Sequence, residues 1–340
     1  MFVNLADAIT LLSKLTPKRL LNVWRIFSSY LISRFFRKDV MSGLPISLAI
    51  EPTTACNLGC PECPSGLKMF SRPTGRLQPT LFKQIIDELS PYTSYLTFYF
   101  QGEPFLNPDF LDMVGYAADQ DMYTATSTNA HFLDSEQARR TVQSGLNRLI
   151  VSIDGITQET YENYRIHGDL EKVLQGTKNV LHWKRKLRSA YPKVIWQFLV
   201  VRPNEHEIEE AKKLAKEYGV DAIKFKTAQI YDYAQGSPLI PSIDKYSRYR
   251  EQIDGTYVIK NKLLDHCWKM WSSCVITWDG QVVPCCFDKD AKFSLGSLQT
   301  QSFQDLWNAE KYRAFRQQLL GGRDQIEICA NCTEGTKVWA

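Results

Sequence analysis

Ser47-Leu-Ala-Ile-Glu-Pro-Thr-Thr-Ala-Cys56-Asn-Leu-Gly-Cys60-Pro-Glu-Cys63-Pro64 is a short apolar, β-prone run that breaks at once into a turn-rich loop carrying three cysteines. Outward from it, runs of the same kind recur at 95–100, 123–126, 148–153, 194–200 and 222–226. Helical segments lie between them at 80–89, 108–118, 135–144, 170–188 and 205–218. The last has Asn204 and Glu207 at capping-box spacing at its start and Gly219 after its final turn, the signals of a helix start and stop. Six strands alternating with helices predict parallel βαβ units, hence an α/β fold with a curved sheet or partial barrel rather than a sandwich. Folds of that kind carry their chemistry at the carboxyl ends of the strands. Cys56, Cys60 and Cys63 follow directly on the end of the first one.

Composition narrows the class. The chain has 340 residues, 44% hydrophobic and 23% charged, a globular balance that excludes a disordered chain or a coiled coil. Its formal charge of +4 is uneven: residues 1–46 hold seven Lys/Arg and two acids, and the remaining 34 basic and 35 acidic residues nearly cancel. A near-neutral body argues against a nucleic-acid-binding face. The nine cysteines are clustered, three within eight residues and six between Cys267 and Cys332. An evenly stapled secreted scaffold would be shorter and differently spaced, so the thiols read as metal ligands in a reducing cytoplasm. Three is the informative number, because a structural zinc or a closed iron–sulfur site wants four protein ligands. Three Cys on a cubane leave one iron open; a zinc site completed by a distant residue is the competing reading.

Cys56-x3-Cys60-x2-Cys63 resembles the signature of the radical S-adenosylmethionine (SAM) superfamily, which follows the first strand of a (βα)6 partial TIM barrel. The resemblance implies a [4Fe–4S] cluster on these three thiols, SAM bound through its amino and carboxylate groups at the open iron, and reductive cleavage to a 5′-deoxyadenosyl radical that abstracts hydrogen from a substrate. Further segments resemble the family's cofactor-binding positions. Gly102 and Glu103 resemble its GGE segment, with Gln101 standing where the first glycine falls. Ser127 and Asn129 resemble its STN segment, and Ser152 and Asp154 its S-x-D-G. Arg165 resembles an arginine that reaches the SAM carboxylate. Toward the C-terminus, Cys267-x12-Gly280-x4-Cys285 and Cys329-x2-Cys332 resemble the SPASM/twitch extension, with Trp278–Cys286 as its hairpin around an Asp-Gly turn. This implies one auxiliary [4Fe–4S] cluster on Cys267, Cys285, Cys329 and Cys332. Cys274 is then spare, and Cys286 is spare or exchanges with Cys285. A four-cysteine zinc ribbon is the alternative. A reductant such as flavodoxin or ferredoxin is implied as a partner.

The expected organisation is an arm at 1–45, the barrel at 46–228, a connector at 229–266 and the auxiliary module at 267–335. The arm reads as one or two amphipathic helices broken near Pro17. No apolar core with a small-residue cleavage site marks it as an export signal. It is basic and aromatic with no acid between Asp7 and Asp39, the composition of a membrane-surface helix, each cation near an anionic surface contributing about 1 kcal/mol. Such a helix, or one that docks a partner, would lie outside the barrel and be dispensable to it, on a cytoplasmic protein held at the inner face of the membrane; a helix packed on the body is the bland alternative. Asp232, beyond the sixth strand, is a candidate catalytic base. Of the five histidines only His167, beside Arg165, is placed near the cofactor. A small-molecule or lipid-linked substrate is expected, with a peptide-modifying maturase as one alternative and a non-catalytic electron carrier as another.

Overall fold

The computed structural model describes residues 5–338. The first four residues of the expected arm lie outside that range. α1 (Leu5–Ser13) and α2 (Pro17–Phe36) lead into β1 (Ser47–Ile50), the single turn α3 (Pro64–Leu67), α4 (Pro79–Leu89), β2 (Tyr95–Thr97), α5 (Phe110–Asp119), β3 (Tyr123–Thr128), α6 (Ser135–Gln143) and β4 (Arg148–Ser152). α7 (Gln158–Tyr164), α8 (Leu170–Lys186), β5 (Lys193–Val200), α9 (Ile208–Tyr218) and β6 (Ala222–Thr227) follow, then a small hairpin, β7 (Tyr249–Glu251) with β8 (Tyr257–Ile259). The chain ends with α10 (Lys269–Ser272), β9 (Ser273–Ile276), β10 (Gln281–Val283), β11 (Gly296–Ser297), α11 (Phe303–Asn308), α12 (Glu310–Gly321) and α13 (Glu327–Ala330). All six expected βα strands are present, in a mixed α/β fold with parallel pairing. Two details differ. α9 starts at Ile208, because Asn204 sits in a preceding 3₁₀ turn, where its Oδ1 accepts from Val201 N (2.8 Å) and its Nδ2 donates to the Asp154 and Leu199 carbonyls. α7 was not foreseen; Thr157 caps it and its buried Tyr161 and Tyr164 hold it down.

The chain divides into two compact units. The first comprises Met1–Ala55, Phe70–Ala125 and Leu263–Ala340. Here β1 pairs in parallel with β2 on one side and with β9 on the other, so the C-terminal hairpin covers what would be the open edge of β1. β9 and β10 are antiparallel around Gly280, whose φ of +81° suits the Asp-Gly turn. Buried Glu51, the first residue after β1, makes two 2.6 Å bonds to the Arg72 guanidinium and accepts from Trp278 N at the hairpin turn (3.2 Å).

The described part of the arm packs within this unit. Thr16 caps α2. Arg19, almost fully buried, donates to the carbonyls of Lys14, Ser90, Gln120 and Asp121. Tyr30 hydrogen-bonds His266 Nδ1 (2.9 Å) and packs edge-on against Trp268 and Trp271. Asp39 pairs with Arg316 at 2.6 Å. Removing the arm would strip buried polar partners and aromatic contacts from the C-terminal module.

The second unit comprises Cys56–Met69 and Thr126–Lys262. β4, β5 and β6 run parallel in that order. The last three residues of β3 belong here, as does the loop bearing Cys56, Cys60 and Cys63.

Candidate functional site

In the second unit the cysteine loop is shaped by its own backbone. Cys60 O accepts from Cys63 N (3.2 Å), and Cys63 is the N-cap residue of α3, with Pro64 in the first turn. Gly66 lets that turn sit directly on Cys60: a Cβ there would fall 2.5 Å from Cys60 N. Gly59 N donates to Ile166 O (2.9 Å), tying the loop to the segment after α7.

That tie brings in Arg165. Its Nε donates to buried Asp154 Oδ2 at 2.5 Å and its Nη1 to Cys60 Sγ at 3.7 Å, while Asp154 Oδ1 accepts from Leu199 N at 2.6 Å. Burial pushes the Asp154 carboxyl up and Arg165 pulls it back. Burial would lower the Arg165 pKa, but Asp154 and Cys60 more than reverse this and fix it as a cation. Asn129 reaches the same loop, donating from Nδ2 to Asn57 Oδ1 (2.8 Å) and accepting His131 N on Oδ1 (3.1 Å). His131, which sequence reasoning passed over, locks this corner through Nε2, which accepts from Asp169 N (2.8 Å); no local motif announces it. His167, at φ +67° and exposed, lies alongside Gly59. Ser127 lies within β3, and Ser152 ends β4 opposite Gln197. Asp232 is exposed to solvent.

In the first unit, Gly102 (φ +74°) presses on the backbone after β1, where a Cβ would meet Thr53 O at 2.2 Å. Glu103 N donates to Ala55 O (2.8 Å), and the buried Glu103 carboxylate accepts from Phe105 N (3.3 Å). Both residues are therefore fixed by the chain that leads into the cysteine loop.

The first unit also gathers the later thiols. Cys267, Cys329 and Cys332 are buried and Cys285 half-buried, whereas Cys286 is exposed. Burial pushes the Cys285 thiol up, and the neighbouring Cys286, Cys329 and Cys267 push it further the same way. Cys274 lies in β9 opposite Leu48, its thiol pushed up by burial alone. Gly335 (φ +81°) makes room for Cys267, since a Cβ there would lie 2.2 Å from its Sγ. Arg323, which the sequence did not flag, is 1% exposed. Its Nη2 donates to Cys332 Sγ (3.1 Å) and Glu334 O (2.7 Å), its Nη1 to His266 O (3.3 Å), and its buried Nε has no partner. No carboxylate among the described residues pairs with this guanidinium.

These features fit iron–sulfur clusters. A buried cation without a counter-ion is costly, and Cys267, Cys332 and Cys329 surround Arg323 with the groups that become negative on binding metal. Burial pushes the free thiols up, Cys329 to about 11, so they are protonated until metal displaces the proton. Among the described residues no three His, Cys, Asp or Glu side chains stand close enough to hold a single metal ion; a cluster whose thiolates each bind a different iron does not need that convergence.

Comparison with known proteins agrees. The radical SAM superfamily profile matches residues 50–215, and the SPASM profile, an iron–sulfur cluster-binding domain, matches residues 267–333. The chain is 27% identical over 336 residues to an AdoMet-dependent heme synthase of Methanosarcina barkeri, covering 86% of this chain and 92% of that protein. It is 23% identical over 315 residues to a PqqA peptide cyclase of Gluconobacter oxydans, covering 87% and 84%. The structure of BtrN in complex with AdoMet and 2-DOIA shares the fold at a TM-score of 0.55 and 20% identity, over 86% of this chain and 95% of that one.

Proposed function

We propose, from the premise that the chain belongs to the radical SAM superfamily and carries a SPASM cluster-binding domain, that it abstracts hydrogen from a small or lipid-linked organic substrate and uses one auxiliary [4Fe–4S] cluster as the electron acceptor. A reduced [4Fe–4S] cluster at Cys56, Cys60 and Cys63 supplies the electron that splits SAM into methionine and a 5′-deoxyadenosyl radical. The chain's own residues do the rest. Arg165 holds a positive charge against Cys60 with Asp154 as its anchor, Asn129 pins the loop through Asn57, and Gly102 with Glu103 fixes the strand-end backbone. The carrying observation is that each thiol set is bonded to a guanidinium, Cys60 to Arg165 and Cys332 to Arg323. Cys267, Cys285, Cys329 and Cys332 are the proposed auxiliary ligands.

The relatives include a heme synthase and a peptide cyclase, so a peptide brought by a partner protein is the competing substrate class. The electron donor is a low-potential carrier of the flavodoxin or ferredoxin type. The location proposed is the cytoplasm, with α1 and α2 touching the inner face of the membrane; no helix among the described residues is long and apolar enough to cross one. Anaerobic reconstitution tests the reading. About eight irons and matching sulfide per chain are expected, two clusters of the four-iron type, and stoichiometric zinc without sulfide would overturn it.

A further inference from the structure

α2 turns its polar side inward. Arg19, Asn22, Ser29 and Ser33 are buried together with Ile26 and Tyr30. On the opposite side of the helix Leu20, Trp24, Leu31 and Phe35 face out, with Trp24 65% and Phe35 80% exposed, and α1 adds Leu5 and Leu12. Half of the twenty large hydrophobic side chains exposed among the described residues lie on these two helices. Scattered exposed hydrophobics are ordinary on a protein surface; a stripe of this density is not.

The charges select what covers the stripe. Exposed Lys18 and Arg25 flank it on one side, and exposed Lys38 follows the helix; Arg34, on the other side, is held by the Tyr30 hydroxyl. The two acids of the arm both point away: Asp7 is buried against the Tyr123 hydroxyl, and Asp39 is held by Arg316. The outward face is thus apolar and cationic with no carboxylate of its own. A second copy of this chain would bring like charges together. A bilayer rich in anionic headgroups offers both an apolar layer for the rings and counter-charge for the cations. We infer that the outward face of α1 and α2 docks on an anionic lipid bilayer, inserting Trp24 and Phe35 while the buried polar face keeps the helix fixed to the protein. The inference rests on the peripheral location already proposed and makes no use of the radical chemistry.

Its test is co-sedimentation of the full-length, cluster-loaded protein with vesicles of phosphatidylcholine alone or mixed with phosphatidylglycerol. Binding is expected on the mixed vesicles at low salt, at least tenfold weaker on phosphatidylcholine or in half-molar salt, where charge is screened. Trp24→Glu with Phe35→Glu should lower binding at least tenfold, and Arg25→Glu with Lys38→Glu should do the same on the mixed vesicles. Both variants should keep wild-type iron content and SAM cleavage, since these side chains touch neither thiol set. A wild-type protein that stays in the supernatant with anionic vesicles at low salt overturns the inference. So does binding that survives the Trp24/Phe35 change, or light scattering that shows a dimer dissolved by it. Vesicle binding with neither iron nor SAM cleavage would instead count against the enzymatic reading alone.

Discussion

Arg323 shows how much one buried side chain can decide. It is enclosed among Cys267, Cys329 and Cys332, bonded to the last at 3.1 Å, and charges and hydrogen bonds at cluster sulfurs set reduction potentials. A fixed positive charge favours the more negative, reduced cluster and so suits an electron acceptor. Arg323→Met should lower the auxiliary midpoint by on the order of 59 mV, a tenfold shift in the reduced-to-oxidised ratio for one electron, with Arg323→Lys closer to wild type; an EPR-monitored redox titration reads this, and equal midpoints in all three would remove the role. The adjacent cysteines separate at the same scale. Cys285→Ala should abolish the auxiliary cluster signal and Cys286→Ala should keep it, because Cys285 is half-buried while Cys286 is exposed; the reverse result would exchange their roles. Spacing alone leaves adjacent cysteines equivalent, and no local pattern marks Arg323 among 41 basic residues. Likewise Gly335 is needed only because Cys267, far away in the chain, comes to rest against it.

Among the elements, β1 carries the most. Glu51, the residue that follows it, is buried with both oxygens on Arg72 and one also on Trp278 N, which fastens the β9–β10 turn to the strand preceding the cysteine loop. Breaking a buried pair leaves an uncompensated charge and costs about 3–5 kcal/mol, whereas replacing both partners by apolar groups is far milder. Glu51→Gln should therefore lower the urea unfolding midpoint sharply, and Glu51→Met with Arg72→Met should recover much of the loss. A double variant as unstable as the single one would show that the pair's charges are not what matters. The strands were legible because buried parallel strands are apolar runs bounded by turns. α7 was not, its sequence QETYENY being polar apart from two tyrosines that only tertiary packing buries. In α2 periodicity revealed two faces but not which one turns inward; that follows from Arg19 and Asn22 finding carbonyl partners about seventy to a hundred residues away in the chain.

For the whole molecule, the two compact units each own one thiol set: Cys56, Cys60 and Cys63 in the second, Cys267, Cys285, Cys329 and Cys332 in the first. The motif spacing marks both groups of cysteines in the sequence. The way β9 continues the sheet beyond β1, and the way the arm is stitched into the C-terminal module, arise from contacts more than two hundred residues apart in sequence that no motif encodes. Separate ownership predicts separate loss: Cys267→Ala should remove about half the iron of two four-iron clusters and leave uncoupled SAM cleavage in place. The most direct measurement is 5′-deoxyadenosine formation by the anaerobically reconstituted, chemically reduced chain, compared with the variant in which Cys56, Cys60 and Cys63 are all Ala. SAM-dependent 5′-deoxyadenosine is expected from the wild type and none from the variant, with the auxiliary cluster's spectrum retained. Iron-loaded, reduced wild-type protein that leaves SAM intact, or a triple variant that still cleaves it, would overturn the assignment of Cys56, Cys60 and Cys63 as the SAM-cleaving site.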